Sequence, residues 1–308
     1  MHPIPASRAN VYTGSPLDRA SNQRDDAAFI EAALAAPDTL FVPVWRARSL
    51  TRPAADGKPE AVFLTQHQAS PARAATDINA FLGLRHEIPI FALDLSHIED
   101  PQPLLPTDLG TLVDIRTLAG TLAPNDAAIL AHARGLMHWR ARHRFCGVCG
   151  HALEPRSAGN ALACPGCHAQ HFPRTDPAVI MLVTDGDRAL LGHSARFPNS
   201  TMYSTLAGFV EPGESLEEAV SREVFEEAGI RTGRIFYHSS QPWPFPASIM
   251  LGFHAEALST EIAIDPTEIE DARWFTRAEL RAPDSVGITL PRADSIARRL
   301  IEDWMAHA

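Results

Sequence analysis

The residues best suited to chemistry are the glutamates of one short segment. Residues 208–230 read GFVEPGESLEEAVSREVFEEAGI and contain seven glutamates, one arginine and no lysine. Within this segment Glu223, Glu226 and Glu227 are spaced i, i+3 and i+4, so on a helix their carboxylates share one face. Two like charges about 4 Å apart repel by roughly 1 kcal/mol in water and by roughly 4 kcal/mol at an effective dielectric of 20. Three such carboxylates together therefore call for a cation.

The type of ligand indicates which cation this is. Carboxylate oxygens are hard ligands that suit Mg²⁺ or Mn²⁺, and Mg²⁺ commonly combines protein carboxylates with phosphate oxygens of a substrate. The spacing therefore favours a magnesium or manganese site that acts on a phosphorylated compound. A solvated acidic helix is the alternative that the spacing alone leaves open.

The four cysteines form a second candidate metal site. They occur as CGVC at 146–149 and CPGC at 164–167. Two such pairs bring four thiolates to one tetrahedral Zn²⁺, whereas two disulfides are the alternative and are rare in cytoplasmic proteins. Four sulphur ligands leave no open position, so we expect one structural zinc ion per chain, bound by Cys146, Cys149, Cys164 and Cys167.

Local signals predict the elements that position the glutamates. Ser215 and Glu218 form a capping box that predicts the start of a helix, and Gly229 predicts its end. Strand patterns at 178–184 and 188–194 precede this helix, and others follow it at 235–240, 248–258 and 272–276. An amphipathic helix is predicted around 295–307. This alternation predicts a mixed sheet with helices on its faces.

The N-terminal half reads as a small α/β domain. Residues 1–25 are polar and without periodicity, which predicts a loose segment. Strand patterns follow at 41–45, 61–66 and 87–95, and a helix is predicted over 124–143 with Asn125 or Asp126 as its N-cap. No internal repeat is evident in the sequence. We therefore expect an N-terminal α/β domain at 1–142, a zinc ribbon at 143–175 and a third domain at 176–308.

Composition limits the class of partner. The 308 residues carry a net charge of −10, which argues against a broad basic surface for nucleic acid. The longest apolar run, at 178–183, is far shorter than the roughly 20 residues of a membrane helix, and the N-terminus lacks a secretory pattern. We expect a cytoplasmic protein without a membrane segment that acts on a small molecule.

One motif identifies a family. One pattern resembles the Nudix box at every defined position. It consists of Gly208, five residues, Glu214, seven residues and then REVFEEAGI. The resemblance implies the Nudix α/β/α sandwich and hydrolysis of a nucleoside diphosphate linked to another group. It also implies catalytic and metal-binding roles for Glu223, Glu226 and Glu227. Arg222 is interpreted as an ion-pair partner that orients these carboxylates.

The sequence SQPWPFPAS at 240–248 resembles the signature of the NudC-type NAD(H) pyrophosphatases, which also carry a zinc ribbon. The resemblance implies further metal contacts at Ala207 and Glu268. It implies substrate contacts at Gln241, Pro242, Trp243, Pro244, Phe245, Pro246, Ala247, Ser248, Phe172 and Ala297. Phe172 departs from the family, which usually has tyrosine there, so the hydroxyl is missing although ring stacking is retained. The prolines of QPWPFP predict an extended, rigid display of Trp243 and Phe245.

The function implied is metal-dependent hydrolysis of NAD(H) to NMN(H) and AMP by more than one Mg²⁺ or Mn²⁺ ion. A Gly-x-Gly-x-x-Gly motif after a strand and a P-loop are both missing, which indicates a dinucleotide that is cleaved rather than used for redox chemistry. NAD-capped RNA is a further expected substrate, and the family is expected to form homodimers. The alternatives are another Nudix substrate, such as ADP-ribose or a dinucleoside polyphosphate, and a non-catalytic ligand sensor.

Overall fold

The computed structural model describes residues 6–118 and 120–307, which form two compact units. One unit comprises residues 12–175 and 243–247. The other comprises residues 6–11, 176–242 and 248–307. In the described part of the chain, every helix is too short or too polar to cross a membrane.

The first unit is built on a six-stranded sheet. Its strands are β1 (Leu40–Trp45), β2 (Arg48–Pro53), β3 (Pro59–Ala61), β4 (Asn79–Arg85), β5 (Ile88–Asp94) and β6 (Thr111–Val113). They lie in the order β3-β2-β1-β5-β4 with β6 also paired to β2, and only β1 and β5 are parallel among the registered pairs. Its helices are α1 (Ala27–Ala35), α2 (Gln66–Ala75) and α3 (Pro124–Arg142). The sheet buries Phe41, Phe81 and Phe91 in its core.

Three sequence predictions in this unit are wrong. The strand predicted at 61–66 ends at Ala61, because Thr65 is the N-cap of α2 and its capping box with Gln68 starts the helix. The N-cap of α3 is Ala123 and makes no side-chain cap, since Pro124 supplies the helical φ at the first position.

The predicted loose segment 1–25 is the third error. Residues 1–5 lie outside the described part, but beyond them Tyr12 is 3% exposed and its hydroxyl donates to the Ile115 carbonyl at 3.4 Å. Asp18 also pairs with Leu84 of β4 through two backbone hydrogen bonds. These tertiary contacts order a segment that has no periodicity of its own.

A three-stranded sheet follows in the same unit. Its strands are β7 (Glu154–Arg156), β8 (Ala161–Ala163) and β9 (Gln170–His171), all antiparallel in the order β7-β8-β9. The first cysteine pair precedes β7 and the second lies between β8 and β9, so this sheet is the small scaffold expected of the predicted ribbon.

The second unit is a sheet with a helix on each face. Its strands are β10 (Asp176–Asp185), β11 (Arg188–His193), β12 (Leu206–Phe209), β13 (Thr232–Trp243), β14 (Ser248–Ala257) and β15 (Asp271–Thr276). They lie in the order β13-β14-β10-β11-β15, with β12 also paired to β10, and β10 and β14 are parallel. The helices are α4 (Leu216–Ala228), α5 (Arg277–Arg281) and α6 (Ile296–Ala306).

The alternation of β10 explains this layering. Val179, Met181 and Val183 belong to the core that includes Ala219, Val220 and Val224 of α4. Ile180 and Leu182 belong to a second core with Leu300 and Ile301 of α6. Both faces of the strand are therefore buried, as its continuous apolar run predicts. The predicted α/β/α sandwich with a mixed sheet is confirmed.

The two large sheets share one topology. The order β4-β5-β1-β2-β6 repeats the order β13-β14-β10-β11-β15, with the same parallel pair at its centre. In the first unit α2 precedes β4 as α4 precedes β13, but its sequence QHQASPARAA has no carboxylate. The repeat that the sequence does not show is thus a repeat of topology, and of these two corresponding helices only α4 carries carboxylates.

Candidate active site

Helix α4, which carries three of the predicted glutamates, begins and ends at its two capping residues. Ser215 Oγ accepts from the Glu218 amide at 3.2 Å, and the Glu218 carboxylate accepts from the Ser215 amide at 2.7 Å. Gly229 ends the helix with a φ of 69°, a left-handed conformation that suits glycine. The predicted start and end of the helix are confirmed.

Gly208 makes room for a glutamate. A Cβ atom at this position would lie 1.9 to 2.1 Å from the carboxylate atoms of Glu223. The Glu223 side chain, only 14% exposed, therefore lies directly over the backbone of β12. This contact explains why the motif requires glycine here.

Replacing Gly208 with alanine is expected to displace the Glu223 carboxylate. We expect the metal concentration for half-maximal activity to rise about 10- to 100-fold, the effect typical of disturbing groups that orient a metal ligand. The melting temperature should change little, since the displaced atoms are the end of a flexible side chain. Gly135→Ala is the control, because its Cβ would meet only ordinary contact with Pro244 at 3.7 Å. Unchanged metal dependence in Gly208→Ala would contradict this role.

Arg222 binds three carboxylates and a carbonyl. Its Nε and Nη2 donate to the two oxygens of Glu214 at 2.6 and 2.9 Å, and Nη2 also donates to the Phe209 carbonyl at 2.9 Å. Its Nη1 donates to Glu223 Oε1 at 2.8 Å and to Glu226 Oε2 at 2.9 Å. This geometry fits the orienting role inferred for Arg222. The bidentate role of Glu214 was missed, although its place in the motif was a signal.

Removing Arg222 is expected to act on both activity and acid stability. The Arg222 hydrogen bonds lower the pKa of Glu214 to about 2 from its ordinary 4.5, so this pair stabilises the fold above pH 4.5 and the contribution is lost as pH falls toward 2. Arg222→Met should therefore melt below the wild type at pH 7, with a difference that shrinks between pH 4.5 and 2. We expect kcat/KM to fall about 10- to 100-fold.

Thermal melts across this pH range and steady-state kinetics test the prediction. Arg234→Met is a matched control, because Arg234 is an exposed arginine that pairs with Glu256 outside the site. Equal losses in the two variants, or a stability difference that persists at pH 2, would contradict the role of Arg222.

Glu227 is the most unusual carboxylate of the site. It is 9% exposed, and its Oε2 atom is buried without a hydrogen-bond partner. Burial raises its pKa, the charges of Glu223 and Glu268 raise it further, and the Ala207 amide that donates to it offsets only part of this, leaving a pKa of about 8. A buried, unpartnered oxygen that faces other carboxylates fits a cation ligand.

Glu268 reaches the same cluster from a loop. The Ala263 amide donates to the Ala228 carbonyl at 2.9 Å, so the loop is fixed to the C-terminal end of α4. Burial raises the pKa of Glu223, and the charges of Glu226 and Glu268 add to the effect. The charges of Glu226 and Glu268 thus act on both Glu223 and Glu227, and the Ala207 amide donates to Glu227. Among the described residues, however, the four cysteines are the one group whose potential metal-ligand atoms all lie within 4.8 Å of one another.

His193 supports this loop and was missed by sequence reasoning. Its Nε2 atom lies 3.3 Å from Glu270 Oε2, and its carbonyl accepts from the Glu270 amide at 2.9 Å. A single histidine at the end of a strand gives no sequence signal for such a contact.

The cysteine sulphurs converge in the first unit. All four Sγ atoms lie within 4.8 Å of one another, with 3.6 Å between Cys146 and Cys167 and 3.3 Å between Cys149 and Cys164. Four thiolates about 2.3 Å from one tetrahedral zinc ion would be roughly 3.8 Å apart. The cysteines are free, so the disulfide alternative is not supported. Amide donors, chiefly that of Val148, lower the pKa of Cys146 to about 5. The Ala169 amide lowers the pKa of Cys167, but burial and the other three cysteines outweigh it and raise that pKa to about 12, so four thiolates this close together need a cation.

The predicted substrate residues fall into both units. Gln241 is fully buried, donates to the Asp294 carbonyl at 2.8 Å and accepts from the Ile296 amide at 2.8 Å, so its amide ties β13 to α6. Ala297 of α6 is 5% exposed and belongs to the core that this helix forms with the sheet. Pro242 ends β13 with Trp243, and Ser248 begins β14. Phe172 follows β9 and is 62% exposed.

The remaining segment does not stay extended. After Trp243, residues 244–247 form a turn, and the Phe245 amide donates to the Trp243 carbonyl at 2.7 Å. The rings of Trp243 and Phe245 meet edge to face with centroids 5.1 Å apart. Arg134 holds the turn through a 2.8 Å hydrogen bond to the Pro244 carbonyl. Pro246 and Ala247 complete this turn, so the predicted extended display is wrong because tertiary contacts fold the segment.

Three family profiles match successive parts of the chain. They are the NADH pyrophosphatase-like rudimentary NUDIX domain at 38–139, the NADH pyrophosphatase zinc ribbon domain at 141–172 and the NUDIX domain at 174–300. The name of the first agrees with the shared topology of the two sheets. The second covers the four converging cysteines.

Three curated relatives match more than half of the chain. The NAD-capped RNA hydrolase NudC of Stutzerimonas stutzeri is 43% identical over 231 residues, which are 72% of this chain and 80% of that protein. The NAD-capped RNA hydrolase NUDT12 of Homo sapiens is 42% identical over 198 residues, and the chloroplastic Nudix hydrolase 19 of Arabidopsis thaliana is 46% identical over 183. These matches cover 60% and 56% of this chain but only 43% and 42% of the two relatives. The chain belongs to the NudC-type family of Nudix hydrolases.

Proposed function

We propose that this chain hydrolyses the pyrophosphate bond of NAD(H) and releases NMN(H) and AMP. The observation that carries the proposal is Glu227 of the Nudix helix, a buried carboxylate with one unpartnered oxygen whose pKa is raised by burial and by the charges of Glu223, on the same helix, and Glu268, on a loop. Such a group is costly unless a cation binds it. The names of the relatives, which are NAD-capped RNA hydrolases, support a substrate that contains this pyrophosphate.

More than one Mg²⁺ or Mn²⁺ ion would be bound by Glu223, Glu227 and Glu268 together with the backbone of Ala207. When bound, these ions neutralise the pyrophosphate and lower the pKa of a water molecule for in-line attack. Glu226, whose side chain is 53% exposed, is proposed to contact the ions from the solvent side. Arg222 holds Glu223 and Glu226 in fixed orientations, so little reorganisation is needed when a substrate arrives.

Recognition of the dinucleotide is proposed for the predicted residues 241–248 together with Phe172 and Ala297. The edge-to-face pair of Trp243 and Phe245 provides rigid aromatic surface for a flat base. The buried amide of Gln241 has backbone partners, so its contribution is to hold this segment in place rather than to bond a ligand.

Three further features complete the proposal. The four thiols bind one structural Zn²⁺, the protein acts in the cytoplasm, and it assembles as a homodimer. The proposed domains are 1–142, 143–175 and 176–308. In the first unit, α2 corresponds to α4 and has no acidic residues, so the role of the first unit is proposed to be structural.

NAD-capped RNA is the second candidate substrate. It contains the same scissile bond, and the S. stutzeri relative is named for this activity. ADP-ribose is the discriminating alternative, because it keeps the pyrophosphate and the adenosine but lacks the nicotinamide.

Parallel reactions with NADH, NAD⁺, ADP-ribose and a 5′-NAD-capped RNA test the substrate assignment. Each is incubated with the purified protein and Mg²⁺ or Mn²⁺, and the products are separated by chromatography. The proposal predicts a higher kcat/KM for NAD(H) or capped RNA than for ADP-ribose. Preference for ADP-ribose would move the assignment to another Nudix activity, and no cleavage of any substrate would favour the sensor.

A further inference from the structure

The charge of the chain is not evenly distributed. The whole chain has a net charge of −10, but residues 140–174 contain five arginines and one glutamate, and also four histidines. The one glutamate, Glu154, is already paired with Arg156 at 2.8 Å. The end of α3 and the ribbon therefore form a basic region in an acidic protein.

This basic region exposes aromatic surface. Phe145 is 62% exposed although its backbone pairs with Ala152, so the strand geometry fixes a ring that solvent still reaches. The guanidinium of Arg144, also an exposed residue, lies 6.0 Å from the centre of the same ring. Arginine beside a rigid aromatic ring is the pair with which proteins stack a base and hold its phosphate.

A cavity adjoins this pair within the same unit. It has a volume of about 300 Å³, and Arg140, His143, Arg144 and Phe145 line one part of it. Asp94 also lines it and is 5% exposed. Burial lowers the pKa of Arg140, the charge of Asp94 opposes this effect, and the Arg140 guanidinium donates to the Asn79 carbonyl, so this arginine is engaged within the protein. The volume is at the lower end of the roughly 300–1,000 Å³ of small-molecule sites, a size that suits one nucleotide.

We propose that the basic ribbon surface, defined by Arg142, Arg144 and Phe145, binds the single-stranded body of an RNA substrate. Phe145 stacks on a base and Arg144 contacts a phosphate, without reading sequence. The inference rests on the proposed function only in that it takes RNA as a substrate. It makes RNA binding separable from cleavage, since none of these residues belongs to the candidate active site.

Binding of an uncapped RNA to the full-length protein tests the proposal directly. A labelled, unstructured RNA of about 12 nucleotides lies within the roughly 4–16 nucleotides of typical single-strand sites. Fluorescence anisotropy gives Kd at several salt concentrations. Phe145→Leu, which keeps an apolar side chain but no ring, should raise Kd about tenfold, and Phe145→Trp should restore binding. Arg144→Gln should weaken binding and reduce the slope of log Kd against log salt by about 1.

The matched control is a second arginine and phenylalanine pair. Arg234 lies 5.6 Å from the ring of Phe236, which is 50% exposed, but Arg234 is paired with Glu256. Arg234→Gln and Phe236→Leu should leave RNA binding unchanged. Zinc content, mass in solution and kcat and KM for NADH should be unchanged in the Phe145 and Arg144 variants.

Three results would overturn the proposal. They are no RNA binding by the wild type, equal Kd in the ribbon and control variants, and a change of oligomeric state in Phe145→Leu, which would make this surface a protein interface. Failure to cleave NADH would instead refute the proposed function while leaving ring-dependent RNA binding intact. The two failures are therefore distinguishable.

Discussion

Replacing Glu227 with glutamine is expected to lower kcat for NADH by about 10³-fold, because loss of a metal ligand removes several kcal/mol of transition-state stabilisation and each 1.36 kcal/mol is about tenfold in rate. The melting temperature of the metal-free protein should not fall. Glutamine has nearly the same shape, and it removes a charge that burial and the neighbouring glutamates disfavour.

The pH dependence of stability separates this explanation from a general structural role. The pKa of Glu227 is raised to about 8 from 4.5, so the folded state holds a proton that the unfolded state releases. This contribution is complete below pH 4.5 and is lost as pH rises through 8. Glu227→Gln should therefore gain melting temperature relative to the metal-free wild type between pH 4.5 and 8. Added Mg²⁺ should stabilise the wild type and have little effect on the variant.

Glu217→Gln is the matched control for these measurements. Glu217 lies on the same helix and is exposed in its first turn. Its replacement should change neither kcat nor the response to Mg²⁺. A Glu227→Gln variant that retains wild-type kcat, or that loses stability at every pH, would contradict the assignment of Glu227 as a metal ligand.

Replacing Cys146 with serine is expected to have the opposite effect, with a large loss of stability and of zinc. The apparent binding free energy of structural zinc is about 10–16 kcal/mol in small zinc domains, and it acts as folding free energy. Cys146 is 4% exposed, so its loss leaves a buried hydroxyl in place of a thiolate. We expect zinc content near zero and an early unfolding transition.

Metal analysis and calorimetry of this variant give the answer. His151→Ala is the control, since His151 Nδ1 lies 3.4 Å from Cys149 Sγ and four sulphurs already complete a tetrahedron. This variant should retain one zinc ion per chain. Normal stability without zinc in Cys146→Ser would mean that the ribbon does not depend on a metal.

The features that were predictable from sequence are local ones. The capping box at Ser215 and the left-handed Gly229 depend on residues three or four positions apart, so their geometry follows from the sequence. The same holds for the i, i+3, i+4 glutamates and the Cys-x2-Cys pairs.

The features that were missed depend on distant partners. The order in residues 6–25 comes from contacts such as Tyr12 with Ile115, and the turn at 244–247 is held by Arg134, more than a hundred residues earlier. The motif includes Gly208, but the reason for a glycine there is visible only in the structure, where the Glu223 side chain lies against its backbone. The repeated topology could not be read from the sequence, because the same strand order can be formed by different residues.

The shared topology gives a physical reason for the arrangement of functions. Both sheets have a parallel strand pair at their centre, but of the corresponding helices α2 and α4 only α4 combines a glycine opposite the helix with three carboxylates and an arginine that orients them. The α2 helix keeps the capping box and lacks the carboxylates. The fold is therefore used twice, and the proposed catalysis requires only one copy.

Metal-dependent cleavage can be followed in a time course of NADH cleavage by the metal-free protein to which Mg²⁺ or Mn²⁺ is then added. We expect no product before the addition, then NMNH and AMP in equal amounts from the wild type and almost none from Glu227→Gln. Cleavage that proceeds without metal, or at the same rate in Glu227→Gln, would contradict this expectation.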